Sequence, residues 1–190
     1  MNNGAEVYFC VRNLYLFFFI LILFFCTGFS ESVIDSSILY QPNVEKLELI
    51  FKYFMPIKNG VIYTKVPRGL IVSIDEGVFF NLHEARIKES SLYILDTIAI
   101  LLSKLPNYCV IENHTEEVGE CEDYAENWEL SIARAQNIAE YMSIAGNLPQ
   151  EKVFSIGFGE FMPFKDNVSS NTKGFDNRVD FVLIEYDVKR

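Results

Sequence analysis

The chain has 190 residues, enough for one domain and a short extension. Half of the residues are hydrophobic and 17 are Phe, so a sizeable core is available. The formal net charge of −10 argues against nucleic acid as a partner, because DNA and RNA are bound mainly through Lys and Arg. The same charge permits a cationic or zwitterionic ligand.

Residues 14–29 form a nearly unbroken apolar run without Asp, Glu, Lys, Arg or His. The run is near the length of a signal-peptide core and somewhat short for a membrane-spanning helix. Gly28 and Ser30 flank Phe29 and offer a cleavage site before Glu31. For residues 1–30 we favour a cleaved signal peptide over an uncleaved transmembrane anchor, and both over lipid attachment at Cys26. The first two hypotheses place residues 31–190 outside the cytoplasm.

Residues 31–59 predict a short helical linker. Apolar residues recur there with helical spacing, at Val44, Leu47, Ile50, Phe51 and Phe54. We expect an amphipathic helix over residues 43–54 that Pro56 ends.

The domain proper is predicted to span residues 60–190 and to begin with two strands. Residues 61–66 and 70–74 are apolar and flank Pro67-Arg68-Gly69, a pattern typical of a hairpin or of one bent strand. A helix with a wide apolar face is expected over residues 92–105, capped by Ser90 or Ser91.

A further strand is expected to begin at Cys109, and two more over residues 153–157 and 179–186. The last of these is apolar on both faces, which predicts a strand in the interior of the sheet. Between the strand that begins at Cys109 and the strand over residues 153–157, a helix is expected to begin near Asn127 and to end at Gly146.

The helix that begins at Asn127 has two stripes of interest. Its apolar stripe is predicted from helical spacing and contains Trp128, Ile132, Ala135, Ala139 and Met142. A neighbouring stripe contains Asn127, Leu130 and Arg134. Two interpretations of Arg134 stay open at this point: a solvated arginine, or an anion clamp at a ligand site.

Glu112, His114 and Glu116 alternate, so a strand places them on one face. Residues i and i+4 on a strand lie about 13 Å apart at roughly 3.3 Å per residue, whereas metal–ligand bonds are only about 2 Å. An adjacent pair supplies only two ligands. We therefore predict no metal site and no cofactor, and expect His114 to hold the strand end by hydrogen bonds.

Eight carboxylates lie between Glu112 and Glu129, and most of them predict a solvated acidic loop. One carboxylate beside one guanidinium also forms a receptor for an amino acid group. In this hypothesis Glu116 binds the ammonium and Arg134 binds the carboxylate with two parallel hydrogen bonds.

Four motifs resemble the C-terminal domain family of OmpA and MotB, and their wording is closer to the MotB branch. The sequence has N-H-T-E at residues 113–116, N-W-E-L-S-I-A-R-A at 127–135, G-F-G-E-F-M-P at 157–163 and D-N-R-V at 176–179. The family has G-H-T-D, N-x-x-L-S-x-x-R-A, G-x-G-E-x-x-P and N-R-R-V in the same order.

The resemblance implies an α/β fold: an OmpA-like βαβαβ sandwich with helices packed on a mixed sheet, preceded by the N-terminal hydrophobic segment. It also implies non-catalytic binding of the diamino acid in a peptidoglycan stem peptide, which tethers an envelope protein to the wall. The family's binding aspartate falls on Glu116 and its binding arginine on Arg134. The other implied ligand-binding positions are Leu130, Phe80, Asn81, Thr115 and Asn127.

These implications leave one alternative open: a structural paralogue that acts through protein partners in an envelope or flagellar assembly. MotB stators carry an aspartate in their membrane helix, and residues 14–29 contain no carboxylate, so proton-channel activity is not expected. Neither G-x-S-x-G nor H-E-x-x-H occurs in the sequence, so we expect no enzyme.

The expected location is the bacterial cell envelope, with a periplasmic domain that is exported or membrane-anchored. The expected partners are peptidoglycan, the membrane if the N-terminal segment stays uncleaved, and a second copy or another envelope protein. Cys109 starts a strand and Cys121 lies in the loop past its far end, so both are expected to be free thiols. Arg178 is expected to form a structural ion pair.

Overall fold

The computed structural model describes residues 44–57, 59–67, 69–116, 124, 126–163 and 176–184. These residues all belong to one compact unit, Leu39–Arg190. The three helices are α1 (Val44–Phe54), α2 (Leu92–Lys104) and α3 (Asn127–Ala145). The five strands are β1 (Val61–Val66), β2 (Gly69–Asp75), β3 (Tyr108–His114), β4 (Val153–Gly159) and β5 (Arg178–Ile184).

The strands form one mixed sheet in the order β1-β2-β5-β3-β4. Only the β3–β4 pair is parallel, and α3 connects these two strands. The predicted hairpin between β1 and β2 is confirmed, as is the interior position of the last strand. The expected α/β fold on a mixed sheet is therefore confirmed.

The core lies between the helices and one face of the sheet. That face contributes alternate residues of β2, β5 and β3, such as Val72, Phe181 and Ile111, all fully buried. The opposite face leaves Phe154 and Ile156 of β4 exposed, at 48% and 42% of their surfaces. The helices thus cover one side of the sheet, as the period-2 pattern of the strands requires.

Helix α1 is present where the sequence predicts it, but it packs in the domain core and is not a separate linker. Leu47 and Phe51 are fully buried, and Met55 joins them in the same core as β2. A helix that buries one apolar stripe on the sheet is part of the domain core. The boundaries at residues 30 and 59 stay a prediction.

The apolar stripe predicted for α3 is wrong at its start. Trp128 and Ile132 keep 44% and 41% of their surfaces exposed, whereas Leu130 and Arg134 are buried. The reason is a close approach of the helix backbone to β4. A Cβ on Gly157 would lie 2.3 Å from the Ile132 backbone nitrogen, so there is no room for large side chains between helix and strand.

This close approach predicts that Gly157→Ala destabilises the domain. The added methyl group forces α3 away from β4, and overpacking of this kind costs about 1–3 kcal/mol. Chemical unfolding of the variant measures the loss. Ser155→Ala on the same strand is the control, because that side chain is exposed. Equal stability of the two variants would contradict the packing argument.

Candidate functional site

Arg134, in the second turn of α3, is the largest fully buried side chain among the described residues. Its Nη1 lies 3.0 Å from Oε2 of Glu76 and 3.3 Å from Oγ1 of Thr115. Its Nε donates to the carbonyl of Glu84 at 2.9 Å, and its Nη2 donates to the carbonyl of Asn81 at 3.0 Å. The guanidinium therefore connects α3 to three other segments.

Glu76 directly follows β2 and is itself buried. Its Oε2 lies 3.2 Å from Nδ2 of Asn113 and 2.9 Å from the hydroxyl of Thr115, besides the contact with Arg134. A buried ion pair is tolerated when further hydrogen bonds satisfy both partners, as they do here. Arg134 is thus buried and not solvated. In this state its guanidinium is not free to donate two parallel hydrogen bonds to a ligand carboxylate.

The structure brings four of the predicted ligand-binding residues together at this point. Asn81 and Thr115 contact the guanidinium directly, and the ring of Phe80 lies 5.1 Å from its central carbon. Leu130, one turn before Arg134, is fully buried. The convergence follows from the topology, since the end of β3 and the start of α3 meet the segment that follows β2.

Glu116 lies beside this cluster and is exposed. Its backbone N–H donates to the side-chain oxygen of Asn177, which leaves the carboxylate at the surface. It borders a cavity of about 330 Å³ whose described lining residues are Glu116, Gly159, Glu160, Met162, Pro163 and Asp176. Three carboxylates around one cavity favour a cationic group.

Asn127, the first residue of α3, is half-buried and follows Glu126 at the N-cap position. A wider concavity of about 700 Å³ lies between α3 and the segment around Glu84. Among its described lining residues there is none of the seven predicted ligand positions. The cavity beside Glu116 is therefore the better candidate site.

His114, at the end of β3, corrects one expectation. Within the described residues neither of its ring nitrogens makes a hydrogen bond, and the ring stacks on Phe158 with centroids 5.0 Å apart. Its Nε2 lies 3.4 Å from Asp180 and 3.8 Å from Glu112. Stacking and charge hold this side chain, because Glu112 shares its face of β3 and strand pairing brings Asp180 of β5 beside it.

The charges around His114 shift two pKa values. Burial disfavours the imidazolium, but the carboxylates of Asp180 and Glu112 outweigh it and raise the pKa of His114. Burial also opposes ionisation of Asp180, but His114 and Arg178 lower the pKa of that carboxyl. Nε of Arg178 lies 2.9 Å from Oδ2 of Asp180, so the expected ion pair of Arg178 is present.

Sequence reasoning missed Glu76 and Asp180. Asp180 lies on β5, which pairs with β3, and Glu76 lies in the segment after β2. Both residues meet their partners only in the folded domain, so no local spacing could reveal them. The one signal was a carboxylate next to a strand end, and many exposed acidic residues share that feature.

Cys109 is a free, buried thiol, and burial raises its pKa to about 12. Cys26, Cys121, the apolar run at 14–29 and most of the acidic loop lie outside the described residues.

Comparison with known proteins identifies the family. The OmpA family model matches residues 79–177, just over half of the chain. The chain belongs to the OmpA family. The match begins beside Phe80 and covers all seven predicted ligand positions, so the OmpA domain and the candidate site coincide.

Similar proteins agree with this assignment. The chain is 32% identical over 117 residues to the uncharacterized protein YtxE of Bacillus subtilis, which covers 61% of this chain and 48% of YtxE. It is 27% identical over 121 residues to motility protein B of the same organism, covering 61% of this chain and 45% of that protein. The cell wall anchor of the T6SS from Pseudomonas aeruginosa has the same fold, with a TM-score of 0.62, 19% identity and coverage of 77% of this chain and 99% of that one.

The chain spans about half the length of the curated relatives that it matches. The OmpA domain places it among envelope-associated domains of the periplasmic type. Within the described ranges, no helix combines the length and the apolar character that a bilayer crossing requires. The hypotheses of a signal peptide, an anchor and lipid attachment concern residues outside those ranges and stay predictions.

Proposed function

We propose that this OmpA domain binds peptidoglycan without catalysis and ties an envelope protein to the cell wall. The main support is the convergence of Asn81, Phe80 and Thr115 on Arg134, next to the exposed carboxylate of Glu116. The wall-anchor description of a protein with the same fold agrees with this proposal.

In the proposed complex, Glu116 binds the ammonium group of the stem-peptide diamino acid. The cavity beside it concentrates negative charge from Glu160 and Asp176, and it is large enough for the end of a side chain. A charge-assisted hydrogen bond from an ammonium to a carboxylate is among the stronger polar contacts available. Asn127 and Asn81 border the same end of the domain and supply polar groups for the peptide.

Arg134 has a double role in this proposal. Among the described contacts, Nε, Nη1 and Nη2 each donate one hydrogen bond, and Nη1 also lies 3.0 Å from Oε2 of Glu76, so the guanidinium is largely occupied before a ligand carboxylate binds. Two parallel hydrogen bonds from Arg134 to a ligand carboxylate require the segment with Asn81 and Glu84 to move away. Phe80, Thr115 and Leu130 then act as buried support that positions the guanidinium.

The proposal predicts that the full chain, purified in mild detergent, cosediments with purified peptidoglycan sacculi. Free diaminopimelate or free lysine should compete, and the better competitor identifies the diamino acid. Cosedimentation that neither amino acid reduces would contradict recognition of the stem peptide.

A second candidate function is binding to a protein partner. Two observations favour it. Phe154 and Ile156 are exposed on the uncovered face of the sheet, and the guanidinium of Arg134 is already paired with Glu76. Absence of sacculus binding by a folded chain would support this candidate and would point to an envelope or flagellar assembly.

A further inference from the structure

A second polar cluster lies on the uncovered face of the sheet. Glu112 and His114 lie on β3, and Asp180 lies opposite Glu112 on β5 in the antiparallel register. One ligand-type atom from each residue lies within 4.8 Å of the other two. The third group that the sequence of β3 lacks therefore comes from the neighbouring strand.

We propose that Glu112, His114 and Asp180 bind a divalent transition-metal ion of the zinc class. Two ligand atoms about 2.0–2.1 Å from a tetrahedral zinc ion lie about 3.3 Å apart. Nε2 of His114 lies 3.4 Å from Oδ2 of Asp180 and 3.8 Å from Oε2 of Glu112. Small side-chain rotations bring these atoms to ligand distance.

Unused polar atoms point to the same place. His114 and Asp180 are more than nine-tenths buried. Among the described residues, the two ring nitrogens of His114 have no hydrogen-bond partner. The same holds for Oδ1 of Asp180. Buried polar atoms are normally paired, so Nε2 of His114, which lies nearest to both carboxylates, is available for a ligand. The imidazole favours zinc and its neighbours over magnesium or calcium.

The surroundings fit a metal ion of charge +2. A metal ion displaces any proton from Nε2 of His114. With the imidazole neutral, the two carboxylates carry −2 and the nearby Arg178 reduces the local charge to about −1, so a cation is still attracted. Nε of Arg178 donates to Oδ2 of Asp180 at 2.9 Å and holds that carboxylate, as outer-shell partners of metal ligands do. The side chain of Glu112 is 24% exposed, which leaves an entry path and an open position for water.

The chain offers a matched control, because it contains only two histidines, His83 and His114. The full chain is first treated with a chelator and dialysed, and then titrated with zinc chloride. We expect one zinc ion per chain by calorimetry. We also expect the unfolding midpoint to rise with the logarithm of free zinc in the wild type and in His83→Gln, but not in His114→Gln. Magnesium chloride at the same concentrations should leave the midpoint unchanged.

Glu112→Gln is the second variant, because its partly exposed side chain makes loss of folding less of a concern than at His114. It should weaken zinc binding at least tenfold. The visible spectrum of the cobalt-substituted chain should lack a thiolate charge-transfer band, which distinguishes this site from a cysteine site. Zinc binding that survives both His114→Gln and Glu112→Gln, or no zinc binding by the wild type, would overturn the proposal. The cluster is then a buried imidazolium between two carboxylates.

Discussion

Replacing Glu116 by Gln is expected to abolish most of the affinity for the peptidoglycan stem peptide while leaving the stability of the domain unchanged. The carboxylate is exposed, and the described hydrogen bond of this residue uses its backbone N–H. A hydrogen bond to a charged group contributes about 1.5–3 kcal/mol, which corresponds to roughly a tenfold to hundredfold rise in Kd. Titration calorimetry with a soluble stem peptide measures this change for a single site.

Glu151→Gln is the matched control for this variant. It removes the same charge from an exposed residue just before β4, at the opposite end of that strand from Gly159. If general electrostatic attraction were responsible for binding, both variants would lose affinity equally, and the affinity of the wild type would fall with added salt. Equal affinity of Glu116→Gln and the wild type would remove the ammonium contact from the proposed function.

Breaking the Glu76–Arg134 pair is expected to be the most destabilising polar change in the domain. Arg134→Gln leaves Glu76 buried without its cation, and Glu76→Gln does the converse. Removal of one member of a buried pair costs about 3–5 kcal/mol. The double variant leaves no unpaired charge, so its loss should fall short of the sum of the two single losses by about 1–3 kcal/mol. Urea unfolding of the four proteins measures this coupling.

The exposed pair Glu48–Lys52 on α1, 2.6 Å apart, provides the comparison. An i, i+4 pair on a helix surface contributes only about 0.3–0.5 kcal/mol. A coupling between Glu76 and Arg134 no larger than this would show that the buried pair is not a structural element. The result also affects binding experiments, because loss of sacculus binding by an Arg134 variant reports on folding as well as on contact. Glu116 is therefore the more informative residue.

Sequence alone determined the elements and the family of this protein. The helix at Asn127, the β1–β2 hairpin and the interior last strand were predictable because burial imposes a period of 3.6 or 2 on neighbouring residues. The motifs around Glu116 and Arg134 identified the candidate site for a similar reason, since each is a continuous string of residues.

Only the tertiary structure decided which groups these residues meet. Asp180 joins His114 because β5 pairs with β3, and Glu76 pairs with Arg134 because the segment after β2 meets the start of α3 in the folded domain. The stripe of α3 was mispredicted at Trp128 because Gly157 lets the helix backbone approach β4, a contact that depends on two distant segments. Spacing along one element reports which side is buried on average, whereas ion pairs and close backbone contacts depend on the register between elements, which local sequence does not encode.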